Sequence, residues 1–202
     1  MPVDIIIDGK SYEPEAGNVK ELVLELNEYF SKKQAVMKTI VLNEDVTITT
    51  IEDLLDYDDS DVEKIKLESR SYEDLCLNTL KEVLVYLDKL DEGYESIVEL
   101  VENDKISDAM VILNAAIEGI EWMNNAFSKI ISILKIELTS EEDNFIKNYS
   151  GHLGELVSAL QNQDYISVKD IILYDLKEDV AGWKKIIEKY SREGNKIQGE
   201  KN

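Results

Sequence analysis

The stretch CLNTLKEVLVYLDKLDEGYESIVELV, residues 76–101, decides the architecture of this chain. Cys76, Leu80, Val83, Leu87, Leu90, Tyr94, Ile97 and Val101 fall at alternating spacings of four and three, with Lys, Asp and Glu between them. That spacing makes one face of a helix apolar along its whole length and turns it toward other helices. Gly93 lies inside the run without shifting its phase. One continuous helix is therefore expected, weakened at that position by about 1 kcal/mol relative to Ala.

Three more seams follow toward the C-terminus. Met110, Leu113, Ile117, Ile120, Asn124, Phe127, Ile131 and Leu134 form the second; Ile146, Tyr149, Leu153, Leu156 and Leu160 the third; Ile172, Leu176, Val180, Trp183, Ile187 and Tyr190 the fourth. Ser71, Ser107 and Ser167 are N-cap candidates, and Thr139 with Glu142 has the spacing of a capping box. Short connections favour antiparallel neighbours, so an antiparallel four-helix bundle is expected over residues 71–190. Leu100-x-x-x-Asp104-Lys105-Ile106-Ser107 matches Leu160-x-x-x-Asp164-Tyr165-Ile166-Ser167 at an offset of 60, which suggests a duplicated helical hairpin. Asn124, amid apolar neighbours, either fixes register or lines a locally open groove.

Outward from the bundle, the N-terminal third alternates differently. Val3 to Asp8 is a β run, Asp8-Gly9 a hairpin turn, and Lys10 to Glu13 the returning strand. Asn18 caps a helix with Val19, Leu22, Val23, Leu26 and Phe30 on one face. Strands are expected at Lys38–Leu42, Val46–Thr49 and Lys64–Glu68, with a short helix at Thr50–Asp56. This order of elements resembles the β-grasp, or ubiquitin-like, fold over residues 1–70. The chain thus reads as α+β: a small β-grasp-like N-terminal module, a four-helix bundle, and a flexible tail over 191–202. Two familiar uses of the β-grasp fold do not apply, since no Gly-Gly terminus follows the last strand and a single cysteine cannot hold an iron–sulfur cluster.

Composition narrows the function classes. Forty-three acidic residues against 22 basic ones leave a net charge of −21. Such a polyanion is repelled by phosphate backbones and anionic membranes, which disfavours direct nucleic-acid or membrane partners. No apolar run approaches membrane-spanning length, no leader sequence is evident, and Cys76 on a helix seam reads as a buried structural thiol. These features suit a bacterial-type cytoplasm. Lys184, Lys185, Lys189 and Arg192 gather where the fourth helix is expected to end, opposing the negative pole of its dipole.

The chemistry-bearing patterns are few. Asn43 to Glu63 holds nine acidic residues and no basic one. An EF-hand loop starting at Asp56 would need Gly and Glu where the chain has Asp61 and Leu67. A di-iron bundle needs two Glu-x-x-His motifs, and the chain has one histidine. Phosphate loops of the Gly-x-x-x-x-Gly-Lys type are absent from the sequence. His152, beside a bundle seam and between Gly151 and Gly154, resembles the phosphoacceptor of histidine phosphotransfer domains. That family carries Lys three residues later, where this chain has Glu155. Trp122 and Trp183 read as packing residues, and Tyr57 and Tyr165, off the seams, as contact residues.

The expectation is a non-enzymatic protein-interaction protein, an adaptor, chaperone or assembly factor, with no cofactor or metal. Asp56, Tyr57, Asp58, Asp59 and Asp61 are the expected contacts to a basic partner surface. Phosphotransfer on His152 and acidic mimicry of nucleic acid are the alternatives. A self-associating structural protein is a further one, because heptad seams serve between chains as well as within one.

Overall fold

The computed structural model describes residues 3–201, with side chains described for residues 3–192. It divides into two compact units, Met1–Leu75 and Cys76–Asn202, in an α+β arrangement.

The first unit is a five-stranded mixed sheet with one long helix. Strands β1 (Asp4–Ile7), β2 (Lys10–Tyr12), β3 (Ala35–Leu42), β4 (Val46–Ile48) and β5 (Lys64–Ser71) lie in the order β2-β1-β5-β3-β4. Strands β1 and β5 are parallel, and the other pairs antiparallel. Asp8 and Gly9 take φ of 52° and 76°, the left-handed pair a two-residue hairpin needs. The Asp8 carboxylate then accepts from the Ser69 N–H at 2.8 Å and its hydroxyl at 2.7 Å, tying the hairpin to β5. Helix α1 (Val19–Lys32) is capped by Asn18, whose side chain accepts from the Glu21 N–H. The Glu21 carboxylate bonds the Gly17 N–H instead of closing a box on Asn18. Val19, Leu22, Val23, Leu26 and Phe30 of α1 pack in one core with Ile5, Ile7, Ile40, Leu42, Ile65 and Leu67 of the sheet.

The second unit is helical. Helix α2 (Tyr72–Glu102) runs unbroken through Gly93, and α3 (Ile106–Leu134) and α4 (Ser140–Gln161) follow. A last stretch joins α5 (Tyr165–Asp170), a π-helical segment (Ile171–Leu176) and α6 (Lys177–Lys201) without interruption. The expected tail, 191–202, falls mostly beyond Arg192, where side chains are not described, and Asn202 lies outside the described residues.

Several local expectations shift by a residue or change cause. Ser71 caps α2, its hydroxyl accepting from the Asp74 N–H at 3.0 Å. Ser107 and Ser167 are not caps. Lys105 precedes α3 with no side-chain cap bond, and Asp164 caps α5 by accepting from the Ser167 N–H and hydroxyl. The α2–α3 and α4–α5 joints are alike in form. Each ends in a left-handed residue, Asp104 or Gln163, followed by the paired carbonyl bonds of a Schellman turn. They correspond residue for residue at an offset of 59, one short of the sequence match. The α3 seam keeps Leu113, Ile120 and Phe127, but its other buried positions are Ala109, Ala116, Met123 and Ile130. Alanine at two of these permits close helix approach, and the rotation leaves the Asn124 amide half-buried instead of in the core. Nor do the lysines oppose a helix end, since α6 continues past them. Lys184 pairs with Asp88 at 2.7 Å, Lys177 with Glu95 at 2.7 Å, and Arg192 with Glu188 at 2.8 Å.

The core of this unit centres on Trp183, met edge-on by Phe127, Phe145 and Tyr149 with ring centroids 5.0, 5.6 and 5.6 Å away. A side chain on Gly182 would run into the Phe145 ring, and one on Gly119 into the Tyr86 ring, whereas Gly154 on α4 faces open space. The two glycine classes should respond to alanine with opposite sign. Gly154→Ala is expected to stabilise the second unit by up to about 1 kcal/mol through helix propensity. Gly182→Ala should destabilise it by about 1–3 kcal/mol through overpacking. Both tryptophans lie in this unit, so denaturant unfolding followed by tryptophan fluorescence reads it alone. Equal responses would contradict the packing described.

Candidate functional site

A groove of about 700 Å³ runs between α4 and the π-helical and α6 stretch. Its existence begins with the spacing of Val168, Ile172, Leu176 and Val180, all at most 3% exposed. Steps of four in an α-helix drift by about 40° each, so three such steps would carry the face about 120° around. The π-helical segment Ile171–Leu176 lies within these steps. Its i→i+5 bonding winds less tightly and removes the drift. Asp175 and Asp179 are thereby presented toward α4, where Phe145, Gly182 and Ile186 form an apolar floor and Glu141, Asn148 and Glu178 stand at the rim.

Glu142 closes one end. Its carboxylate accepts from the Thr139 N–H at 2.8 Å and hydroxyl at 3.0 Å, completing the expected capping box. It also accepts from the Lys189 ammonium at 2.8 Å and the Tyr190 hydroxyl at 2.8 Å. Burial alone would raise this carboxyl, but Lys189, Thr139 and Tyr190 outweigh it and hold its pKa at about 2.

His152 lies along the same wall. Its Nδ1 is 2.7 Å from Asp179 Oδ2, with the imidazole 30% exposed and the carboxylate 7%. The hydrogen bond to Asp179 raises the imidazole pKa, with Asp175 and Glu155 adding to it. Burial pushes the Asp179 carboxyl up, and the bond to His152 opposes that push. The pair thus holds a proton between a half-exposed ring and a buried acid, the ring being charged over a wider pH range than a free histidine. The Trp183 Nε1 and Tyr149 hydroxyl, nearby in the core, have no hydrogen-bond partner among the described residues.

The acidic loop belongs to the other unit. Asp56 ends the 3₁₀ turn Glu52–Asp56, and Asp58, Asp59 and Asp61 follow it, all exposed. Asp59 is engaged within its own unit, accepting from the Val19 N–H at 2.8 Å at the start of α1. The Asp61 carbonyl accepts from the Asn43 side chain at 2.7 Å. Tyr57 is half-buried against the sheet unit's core, and Tyr165 packs against the helical core. Among the described residues, no group of three or more His, Cys, Asp or Glu is placed to hold a metal ion. No helix among them is long and apolar enough to cross a membrane.

Sequence reasoning found His152, Thr139 and Glu142 but missed Asp179, Asp175 and the glycine–phenylalanine floor. The three successive fours from Val168 to Val180 were the available signal, since a regular α-helix would spread them over about 120°.

Residues 78–186 match the model of a family described as Domain of unknown function (DUF8042), and the chain belongs to that family. The matched span includes Glu142, His152, Asp175 and Asp179, while Lys189 lies beyond it. No curated protein and no solved structure matches the chain.

Two titrations test this geometry. His152 is the sole histidine, so its ring signals in NMR are unambiguous. The imidazole should titrate above its ordinary 6.5, and Asp179→Asn should lower the midpoint; an unchanged midpoint would refute the pairing. By sign, the raised His152 value adds stability below about pH 6.5, lost as pH rises through the folded value. Glu142 acts oppositely, its contribution present above its ordinary 4.5 and lost as pH falls toward about 2. Glu142→Gln should therefore cost about 1–3 kcal/mol at neutral pH, a loss that shrinks on acidification in denaturant titrations.

Proposed function

We propose that this chain is a non-enzymatic adaptor of the cytoplasm that holds a cationic amphipathic segment of a partner protein in the α4–α6 groove. The observation that carries this reading is the groove's pattern: an apolar floor of Phe145, Gly182 and Ile186 under a rim where Glu141, Asp175 and Glu178 outnumber Lys185, Lys189 being paired with Glu142. That pattern complements a helix with aliphatic residues on one face and lysine or arginine beside them. The sheet order β2-β1-β5-β3-β4 with α1 packed on it supports a β-grasp-like N-terminal module. Four long helical stretches joined by short connections support a four-helix bundle as its companion. The buried Cys76 suits a reducing compartment. The exposed carboxylates Asp56, Asp58 and Asp61 serve to steer a basic partner, a contribution to on-rate more than to affinity.

Phosphotransfer on His152 ranks lower. The bond from Asp179 occupies Nδ1 and leaves Nε2 as the nitrogen that would react, but Asp175 and Glu155 would repel a phosphoryl group beside it.

The test is a photo-crosslinking residue placed at Asn148 in the groove or at Asp58 in the acidic loop, with crosslinked peptides sequenced by mass spectrometry. Asn148 should capture a peptide rich in lysine or arginine with apolar residues at helical spacing. Association of that peptide should slow about tenfold or more from low to high salt, and Asp175→Lys with Glu178→Lys should slow it similarly. Capture of a neutral or acidic peptide, or binding indifferent to both reversals, would sink the reading. A phosphohistidine signal at His152 would promote the phosphotransfer alternative.

A further inference from the structure

Helix α3 presents a second face that the groove does not use. Its only charged residues are Asp108, Glu118, Glu121 and Lys129, in a chain that is 32% charged. Val111, Trp122 and Ile133 are 70%, 41% and 41% exposed. With Ala115, Glu118, Ala126 and Lys129 they occupy positions 111, 115, 118, 122, 126, 129 and 133, spaced by fours and threes. At 100° per residue these seven fall within about 80° of the helix circumference and span about 33 Å of its length. The buried seam through Leu113, Ile120 and Phe127 lies on the opposite side. Trp122 is held in place by an edge-on contact with Tyr86 of α2, centroids 5.9 Å apart, and Tyr86 is itself anchored by donating to the Ala116 carbonyl at 2.9 Å. Among the described residues, neither Glu118 nor Lys129 has an ion-pair partner.

The pattern is complementary to its own reverse. Val111 and Ile133 each lie eleven residues from Trp122. An antiparallel copy centred on Trp122 sets Val111 against the second copy's Ile133 at both ends and the two Trp122 rings together in the middle. Glu118 then faces the copy's Ala126, with that copy's Lys129 one turn further along, and the two-fold axis repeats the pair. Alanine opposite each charged residue leaves room for the side chains to meet. For a chain of net charge −21, most faces bring carboxylates together when two copies approach. The α3 stripe instead joins opposite charges across an apolar strip, in the isologous manner of two-fold dimers. We infer that the α3 stripe Val111–Trp122–Ile133 is the self-association surface of this protein, pairing two copies antiparallel through α3 with Glu118 of each against Lys129 of the other.

Sedimentation velocity of the full chain across a wide concentration range tests this. The wild type should shift from monomer to dimer as concentration rises, and Trp122→Glu should remain monomeric with unchanged helical circular dichroism. Glu118→Lys should weaken association about tenfold even though it reduces the net negative charge, and Lys129→Glu should weaken it similarly. The double swap should restore dimerisation to within about threefold of wild type, since it rebuilds both pairs in reverse. A wild type that stays monomeric throughout, a dimer that survives Trp122→Glu, or a double swap no better than the singles would each overturn the assignment.

Discussion

Glu142 accepts four hydrogen bonds through a carboxylate almost withdrawn from solvent, and the spacing of α4 and α6 depends on it. Two of those bonds begin α4 by satisfying Thr139; the other two bind Lys189 and Tyr190 of α6. A buried carboxylate with fewer partners would take up a proton or drive the helices apart to reach water. Fully partnered, it fixes where the two helices meet at that end. The Asp179–His152 pair links the same helices further along, with the Phe145 ring seated on Gly182 between these two ties. The groove is the space these attachments leave open.

Charge organises the rest of the helical unit. Lysines of the last helical stretch reach acids of α2 at Asp88, Asp91, Glu95 and Glu102. Each such pair is partly solvated and contributes at most about 1 kcal/mol. Their value lies in where they sit, since they set opposite charges between two helices that would otherwise repel. Helix α3 is sparing of charge, and its outward side keeps Val111, Trp122 and Ile133 exposed. The contrast between an acid-rimmed groove and a sparsely charged stripe follows from how unevenly the carboxylates are distributed.

The pieces of the site differed in how readable they were. Thr139 and Glu142 were legible because a capping box is local, its partners three residues apart. His152 was conspicuous as the sole histidine, but its partner Asp179 is 27 residues away and looks like any acid on an acidic helix. The acidic loop was visible as composition, while the bond from the Val19 N–H that occupies Asp59 required the folded N-terminal unit. Lys189 was visible within a basic cluster, but its role came from Glu142 and not from a helix terminus.

The sequence by itself determined the α+β division, the run of strands and helices, and the first and fourth seams closely, with Tyr149 and Leu156 of the third. Periodicity is set by the geometry of the repeating backbone, and residues a few positions apart suffice to reveal it. Only the tertiary structure decided the rest. It rotated the α3 seam by one residue so that Ala109 and Ala116 faced inward. It underwound Ile171–Leu176 to keep four apolar residues on one face, and it paired His152 with Asp179. In each case the deciding free energy comes from what a residue packs against across the fold, and that neighbour lies too far along the chain for any local spacing to announce it.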